Sequence, residues 1–164
     1  MADKLAKEYK AKIVIFGSSL VRVKELEKAN SLEEISAVKL AESICSLMEE
    51  EAINLAGQLS LKEIGIFLKL TGSLYIGNDT GPAHLSAIIG SPTITIFGPT
   101  DDKLWKPFGK ESFVARKDLE CSPCRNPNCE NNRYLNELGV EEVFKVVEKA
   151  IQKSSLSSFS PNYR

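Results

Sequence analysis

Short, wholly apolar runs alternate along this chain with longer stretches that carry one apolar face. Residues 12–16 (KIVIF), 52–56 (AINLA), 74–76 (LYI) and 93–97 (TITIF) read as strands, and 112–115 (SFVA) is a weaker fifth. Continuous rather than alternating apolar strands predict a sheet buried on both faces. Between them, Ser31 and Glu34 fit a capping box that opens a helix, with Ala37, Ala41, Ile44, Cys45 and Met48 on one face. Ser60 and Glu63 repeat the device ahead of Ile64, Phe67, Leu68 and Thr71, and Gly72 is the expected stop. Residues 83–89 form a short helix closed by Gly90, with Pro92 beyond. Residues 140–153 form a last helix that turns Val143, Val146, Val147, Ala150 and Ile151 inward. Strand–helix alternation with short links predicts a parallel α/β sheet with right-handed crossovers. The expected organisation is a lead-in over 1–11, one domain over 12–153 and a frayed serine-rich tail over 154–164; no internal repeat is visible.

Composition adds exclusions. A chain of 164 residues suits one core, and 43% hydrophobic with 26% charged residues is ordinary for a soluble globular protein. The net charge of −1 gives no global reason to expect nucleic acid or an anionic surface as partner, so any anion site must be local. No apolar run approaches the roughly 20 residues that span a bilayer. The first ten residues lack a signal core. The chain therefore reads as cytoplasmic, and its four cysteines as reduced thiols or metal ligands.

The most informative segment is 77–84, GNDTGPAH. It follows a strand and opens a helix, which places it at the carboxyl ends of the strands, where ligands bind in open α/β sheets. Pro82 is tolerated only in a first helical turn, and Gly81 admits a ligand close to the backbone. The helix start then offers N–H groups and its dipole to an anion such as a phosphate. Thr80 can add a hydroxyl donor. His84, four residues on, shares that face. Asp79 would repel a phosphate directly, so its expected partners are hydroxyls of a sugar beside it. The plain alternative makes Asp79 or Thr80 a helix cap and His84 a packed surface residue.

A second loop at the same edge, 97–101 (FGPTD), brings Gly98 and Thr100 towards the crevice; as a simple turn it would use Asp101 as a cap. Gly57 and Gln58 are placed to flank a nucleobase, while Ser60 is most simply a cap. Gly17-Ser18-Ser19 can offer backbone donors but is no G-x-G-x-x-G fingerprint, and no G-x-x-x-x-G-K-[ST] occurs. Nicotinamide, flavin and P-loop chemistry are thereby disfavoured.

The ordered set GNDTGPAH, Gly90-Ser91-Pro92-Thr93 and FGPTD resembles the carboxy-terminal half of glycosyltransferase family 9, the lipopolysaccharide heptosyltransferase family. Upstream Asn54-Leu55-Ala56-Gly57 with Ser60-Leu61, and downstream Cys121-Ser122-Pro123-Cys124, match in order and spacing, over about residues 12–152. The resemblance implies a Rossmann-like parallel sheet with helices on both faces, the second domain of a GT-B glycosyltransferase. That domain binds the nucleotide-sugar donor, commonly ADP-heptose. The first domain binds the lipid-linked saccharide acceptor and supplies the catalytic base, so no catalytic residue is expected in this chain. The family inverts configuration, needs no metal for the chemistry, and would reach the inner membrane peripherally through that first domain. Carried over by position, Thr80 and Gly81, with Pro82 in the same turn, would hold the diphosphate. Asp79 and His84 would take the sugar end, and Gly57, Ser60 and Glu63 would lie near the nucleoside. The chain departs from the pattern in beginning where the second domain begins, and in reading Gly-Ser-Ser where many relatives have two glycines before a proline.

Cys121, Cys124 and Cys129 resemble half of a zinc knuckle, but Tyr134 stands where relatives often carry another cysteine. Structural zinc normally takes four protein ligands, so a compact loop of partly buried thiols is favoured and structural zinc is the minor reading. Cys45 reads as core. Trp105, Phe108 and Tyr134 are expected to pack the surrounding loops. Three functions compete: the donor-binding half of a hexosyl- or heptosyltransferase, a stand-alone non-catalytic module binding nucleotides or nucleotide sugars, and a small zinc-dependent interaction domain.

Overall fold

The structure, a computed structural model, describes residues 1–17, 32–123 and 133–154, and only the backbone of 32–36. The capping pair Ser31/Glu34, together with Ser18, Ser19, Cys124, Cys129 and the tail beyond 154, lies outside the described residues or side chains. Packing divides the chain into two units, 1–66 and the residues from 67 onward.

The first unit contains α1 (Ala2–Tyr9), β1 (Ile13–Ile15), α2 (Leu32–Leu47), β2 (Ala52–Asn54) and the start of α3 (Leu61–Thr71). β1 and β2 pair in parallel, Ile13 opposite Ala52 and Ile15 opposite Asn54. The lead-in is a helix tied down by polar contacts. The Asp3 carboxylate accepts from the N–H groups of Glu49 at 3.0 Å and Glu50 at 2.9 Å, and Lys7 pairs with Glu49. The expectation of strands buried on both faces fails here. β1 is half-buried throughout and Ile53 of β2 is exposed, because a two-stranded sheet has no central strand. The predicted inward face of α2 is also narrower than its apolar pattern. Ala41 is buried, Ala37 and Cys45 are half-buried, and Ile44 is exposed, so Cys45 is not a core residue.

The second unit holds β3 (Tyr75–Asn78), α4 (Gly81–Ile88), β4 (Thr93–Ile96), α5 (Asp102–Trp105), β5 (Ser112–Ala115), α6 (Arg133–Asn136) and α7 (Val140–Lys153). Its three strands are parallel in the order β3-β4-β5. The helix stops act as predicted: Gly72 and Gly90 take φ of +62° and +87°, a conformation that costs a glycine little. β4 is the buried centre of this sheet, with Ile94, Thr93 and Thr95 at 0% exposure. α4 packs on β3 and β4, and α7 on β4 and β5. The two buried hydroxyls of Ser86 on α4 and Thr93 on β4 bond at 2.8 Å, and Thr93 also donates to the Ser91 carbonyl at 2.9 Å. α7 buries Val143, Val147 and Ala150 as the pattern predicts, and Phe144 beside them.

Candidate functional site

Register brings the candidate loops together. Asn78 is paired with Ile96, and Ile96 with Ala115, so the loops after β3, β4 and β5 leave the same edge of one sheet. Only Asp79 and Thr80 separate β3 from α4. Thr80 is extended (φ −146°, ψ 170°) in the N-cap position, and Pro82 falls in the first turn as the sequence requires.

The capping alternative for Thr80 and Asp79 does not hold. The Thr80 side chain makes no capping bond; its hydroxyl donates to the Asn78 carbonyl at 3.3 Å. Asp79 turns its carboxylate to other partners. Thr100 donates to Oδ2 at 3.0 Å, and Nε2 of His84 lies 3.3 Å from Oδ1. The His84 side chain is 39% exposed and that of Asp79 16%, so the pair sits at a wall open on one side. A carboxylate has about four acceptor positions, so Asp79 keeps acceptor capacity beyond these two contacts.

The helix start is a narrower anion seat than four free N–H groups would make. Pro82 has no N–H, and those of Ala83 and His84 both go to the Thr80 carbonyl, at 3.0 and 3.4 Å. Gly81 keeps its N–H unpaired among the described residues, and a Cβ there would meet nothing within 4 Å. Gly98 likewise faces open space. The seat therefore consists of the Gly81 N–H and the helix dipole, joined by the Thr80 hydroxyl only when it turns from the Asn78 carbonyl, with Asp79, Thr100 and His84 beside it.

Sequence reasoning missed Tyr75, whose hydroxyl lies near the Thr80 side chain. The ring runs along β3 over Gly77, where an added Cβ would come within 2.5 Å of the phenolic oxygen. Burial pushes the Tyr75 phenol above its usual 10, and the nearby Thr80 hydroxyl draws it partly back. An aromatic residue two positions from a glycine in a strand was the available signal. Arg116, directly after β5, was also missed. It pairs with Asp102 and Asp118 and donates to Ser122 at 2.8 Å, so its charge is spent within the fold.

The other candidates are placed as follows. Asp101 is the cap of α5, accepting from the Lys103 N–H at 3.1 Å. In the first unit, Ser60 and Glu63 complete a capping box. Glu63 accepts from the Ser60 N–H at 2.8 Å and hydroxyl at 2.6 Å, and the Ser60 hydroxyl accepts from the Glu63 N–H at 3.3 Å. Gly57 lies in the turn after β2, where Gln58 donates to the Asn54 carbonyl at 2.8 Å. Gly17 packs against Ala56 and Ala37, which a Cβ would meet at 3.0 Å and 3.6 Å; close packing explains this glycine. Cys121 is an exposed free thiol, not the partly buried one expected. Tyr134 is buried as expected, but Trp105 and Phe108 are not packed into loops: they are 58% and 90% exposed.

Comparison with known proteins matches residues 9–135 to the model of glycosyltransferase family 9 (heptosyltransferase). The chain is 32% identical to lipopolysaccharide heptosyltransferase 3 of Escherichia coli over 103 residues, 62% of this chain and 30% of that protein. It is 29% identical to lipooligosaccharide heptosyltransferase 2 of Campylobacter jejuni over 124 residues, 72% of this chain and 39% of that one. The chain thus spans well under half the length of these curated relatives. Among solved structures it resembles a family 9 glycosyl transferase from Veillonella parvula (TM-score 0.67, 22% identity, 93% of this chain and 40% of that one). It also resembles E. coli ADP-heptose lps heptosyltransferase II (TM-score 0.59, 18% identity, with the same coverage).

Proposed function

The chain belongs to glycosyltransferase family 9, and on that premise we propose that it is the donor-binding half of an inverting glycosyltransferase of lipopolysaccharide core biosynthesis, holding a nucleotide sugar of the ADP-heptose kind. The observation that carries this reading is the seat at the start of α4. There an uncommitted Gly81 N–H and the Thr80 hydroxyl stand next to an Asp79 carboxylate held by Thr100 and His84. The first pair suits phosphate oxygens. Asp79, an acceptor that repels phosphate, suits the hydroxyls of the attached sugar.

In this reading the acceptor hydroxyl attacks the anomeric carbon, with a base supplied by an acceptor domain. The bond from that carbon to the diphosphate oxygen breaks, and negative charge grows on the leaving diphosphate. Fixed donors aimed at that charge favour the transition state over the ground state. The Gly81 N–H supplies one here, the α4 dipole adds to it, and the Thr80 hydroxyl supplies a second by turning from the Asn78 carbonyl to the diphosphate. Asp79 and His84 orient the sugar. The chain on its own is then a binding unit without transfer activity.

Calorimetry with ADP, UDP and ADP-heptose, without added divalent metal, tests the proposal. Binding of ADP and tighter binding of the ADP-sugar are expected. An absence of binding with every nucleotide would sink the donor-site reading. Sugar transfer by the purified chain, in a preparation free of host enzymes, would relocate the base to these residues.

A further inference from the structure

The segment from α5 to β5 presents apolar and cationic side chains together on the surface of the second unit. Leu104, Trp105 and Phe108 are 66%, 58% and 90% exposed, and Lys103, Lys106 and Lys110 between and beside them are exposed too. Residues 103–110 (KLWKPFGK) contain no acidic residue. Asp102 at one end is paired with Arg116, and Glu111 at the other is half-buried and has an interaction of its own. None of the three lysine ammonium groups has an ion-pair partner among the described residues.

The exposure is built in. Asp101 caps α5, Pro107 is buried, and Gly109 lies so close to α4 that a Cβ would come within 2.7 Å of the Ala87 carbonyl. The backbone is thus pinned on both sides of Phe108 while the ring points outwards. Ile88, next to Ala87 on α4, is 70% exposed and extends the apolar surface. Lys106 also lines an open cavity of about 330 Å³ with Lys149 of α7 and Ser112 of β5, alongside the Asp102 carboxylate and apolar Phe113, Val114 and Val146. Ser112 is 5% exposed and its buried hydroxyl has no partner among the described residues.

We propose that this face docks on the surface of an anionic phospholipid bilayer. Leu104, Trp105 and Phe108 enter the boundary between headgroups and acyl chains, where aromatic rings and lysines are both at home. Lys103, Lys106 and Lys110 pair with lipid phosphates. A protein partner fits less well. The exposed apolar residues are interleaved with three lysines that lack an ion-pair partner among the described residues, and the segment 103–110 holds no carboxylate, a composition that suits the boundary of an anionic bilayer. A bilayer needs only a few anchors and a local excess of positive charge. The attachment belongs to this chain's own surface, whereas the family resemblance places it on the acceptor domain. It is independent of the donor-site reading.

Trp105 is the single tryptophan of the chain, so its fluorescence reports docking directly. The whole chain is titrated with vesicles of phosphatidylglycerol and phosphatidylethanolamine, or of phosphatidylcholine alone. With the anionic vesicles, a blue shift and quenching by brominated acyl chains are expected, with binding about tenfold weaker on phosphatidylcholine or in high salt. Leu104→Ser with Phe108→Ser keeps the reporter and should weaken binding about tenfold or more. Lys103→Gln with Lys110→Gln should remove most of the preference for anionic lipid. Both variants should bind nucleotide as the unsubstituted chain does, which separates a docking failure from a failure of the donor site. No spectral shift on any vesicle, equal binding to both compositions, or a shift that grows with protein concentration in the absence of lipid would overturn the proposal. The last would assign the face to a second copy of the chain.

Discussion

The Thr100 hydroxyl donates to Oδ2 of Asp79 at 3.0 Å, across 21 residues of sequence. The parallel register of β3 and β4 makes this possible, because it starts both loops at the same height on the sheet. The bond fixes one carboxylate oxygen while His84 faces the other.

Thr100→Val removes the donor at little cost in volume. In the donor-site reading it frees Asp79 to swing away from the sugar, so affinity for an ADP-sugar should fall about tenfold, the worth of one hydrogen bond to a charged group. Affinity for ADP alone should stay nearly constant. Calorimetry with the two ligands decides it; equal losses would mean that Thr100 acts on the nucleotide.

Thr80→Ala acts on the anion seat itself. A hydroxyl bond to a phosphate oxygen is worth about 1.5–3 kcal/mol, so ADP and ADP-sugar should both bind roughly ten- to a hundredfold more weakly. Tyr75→Phe, which only removes the phenolic hydroxyl near Thr80, should cost less. If Thr80→Ala and Thr100→Ala cost the same for ADP, the phosphates sit elsewhere.

His84→Gln keeps a donor of similar reach but shifts it. Because the ring faces Asp79 and not the Thr80 hydroxyl, ADP affinity should hold while ADP-sugar affinity falls. Unchanged affinity for both ligands would return His84 to the role of a packed surface residue.

Glu142 links stability to pH. Its carboxylate accepts from Lys117 at 2.9 Å and from the Gly139 N–H at the start of α7 at 2.8 Å. The Lys117 bond, then the Gly139 bond, hold it below the usual 4.5. A depressed carboxyl contributes stability above its unfolded value and loses it as pH falls through the folded one. The difference in Tm between the unsubstituted chain and Glu142→Gln should therefore be full at pH 7 and close at the acid end, below the folded value. A constant difference across that range would detach the cap from the titration.

Much of this was legible in the residues. Pro82 can only open a helix, Gly72 and Gly90 can only end one cheaply, and Ser60 with Glu63 spells a cap that the structure contains. What local pattern does not carry is pairing. The apolar runs predict parallel strands but not their division, among the described residues, into sheets of two and three, and the link from Thr100 to Asp79 depends on register alone. Tyr75 was hidden because its reach depends on the bare backbone of Gly77. Trp105 and Phe108 were misjudged because aromatic residues are buried by default. α5 has four residues, too few for an apolar face to be separated from a polar one.

The buried hydroxyl pair of Ser86 and Thr93 has a consequence for how any variant of the seat should be interpreted. Rotating or sliding α4 would strand the desolvated Ser86 hydroxyl, at about 1–3 kcal/mol, while Thr93 would keep its bond to the Ser91 carbonyl. The first turn of that helix is thus indexed to the central strand like a key cut to its wards, and the positions of Thr80, Gly81 and His84 are fixed when the sheet forms, before any ligand arrives. Differences among ligands are then differences in what they touch and not in what they reshape. Association should accordingly be a single concentration-dependent step, without the slower second phase that reordering of the seat would add.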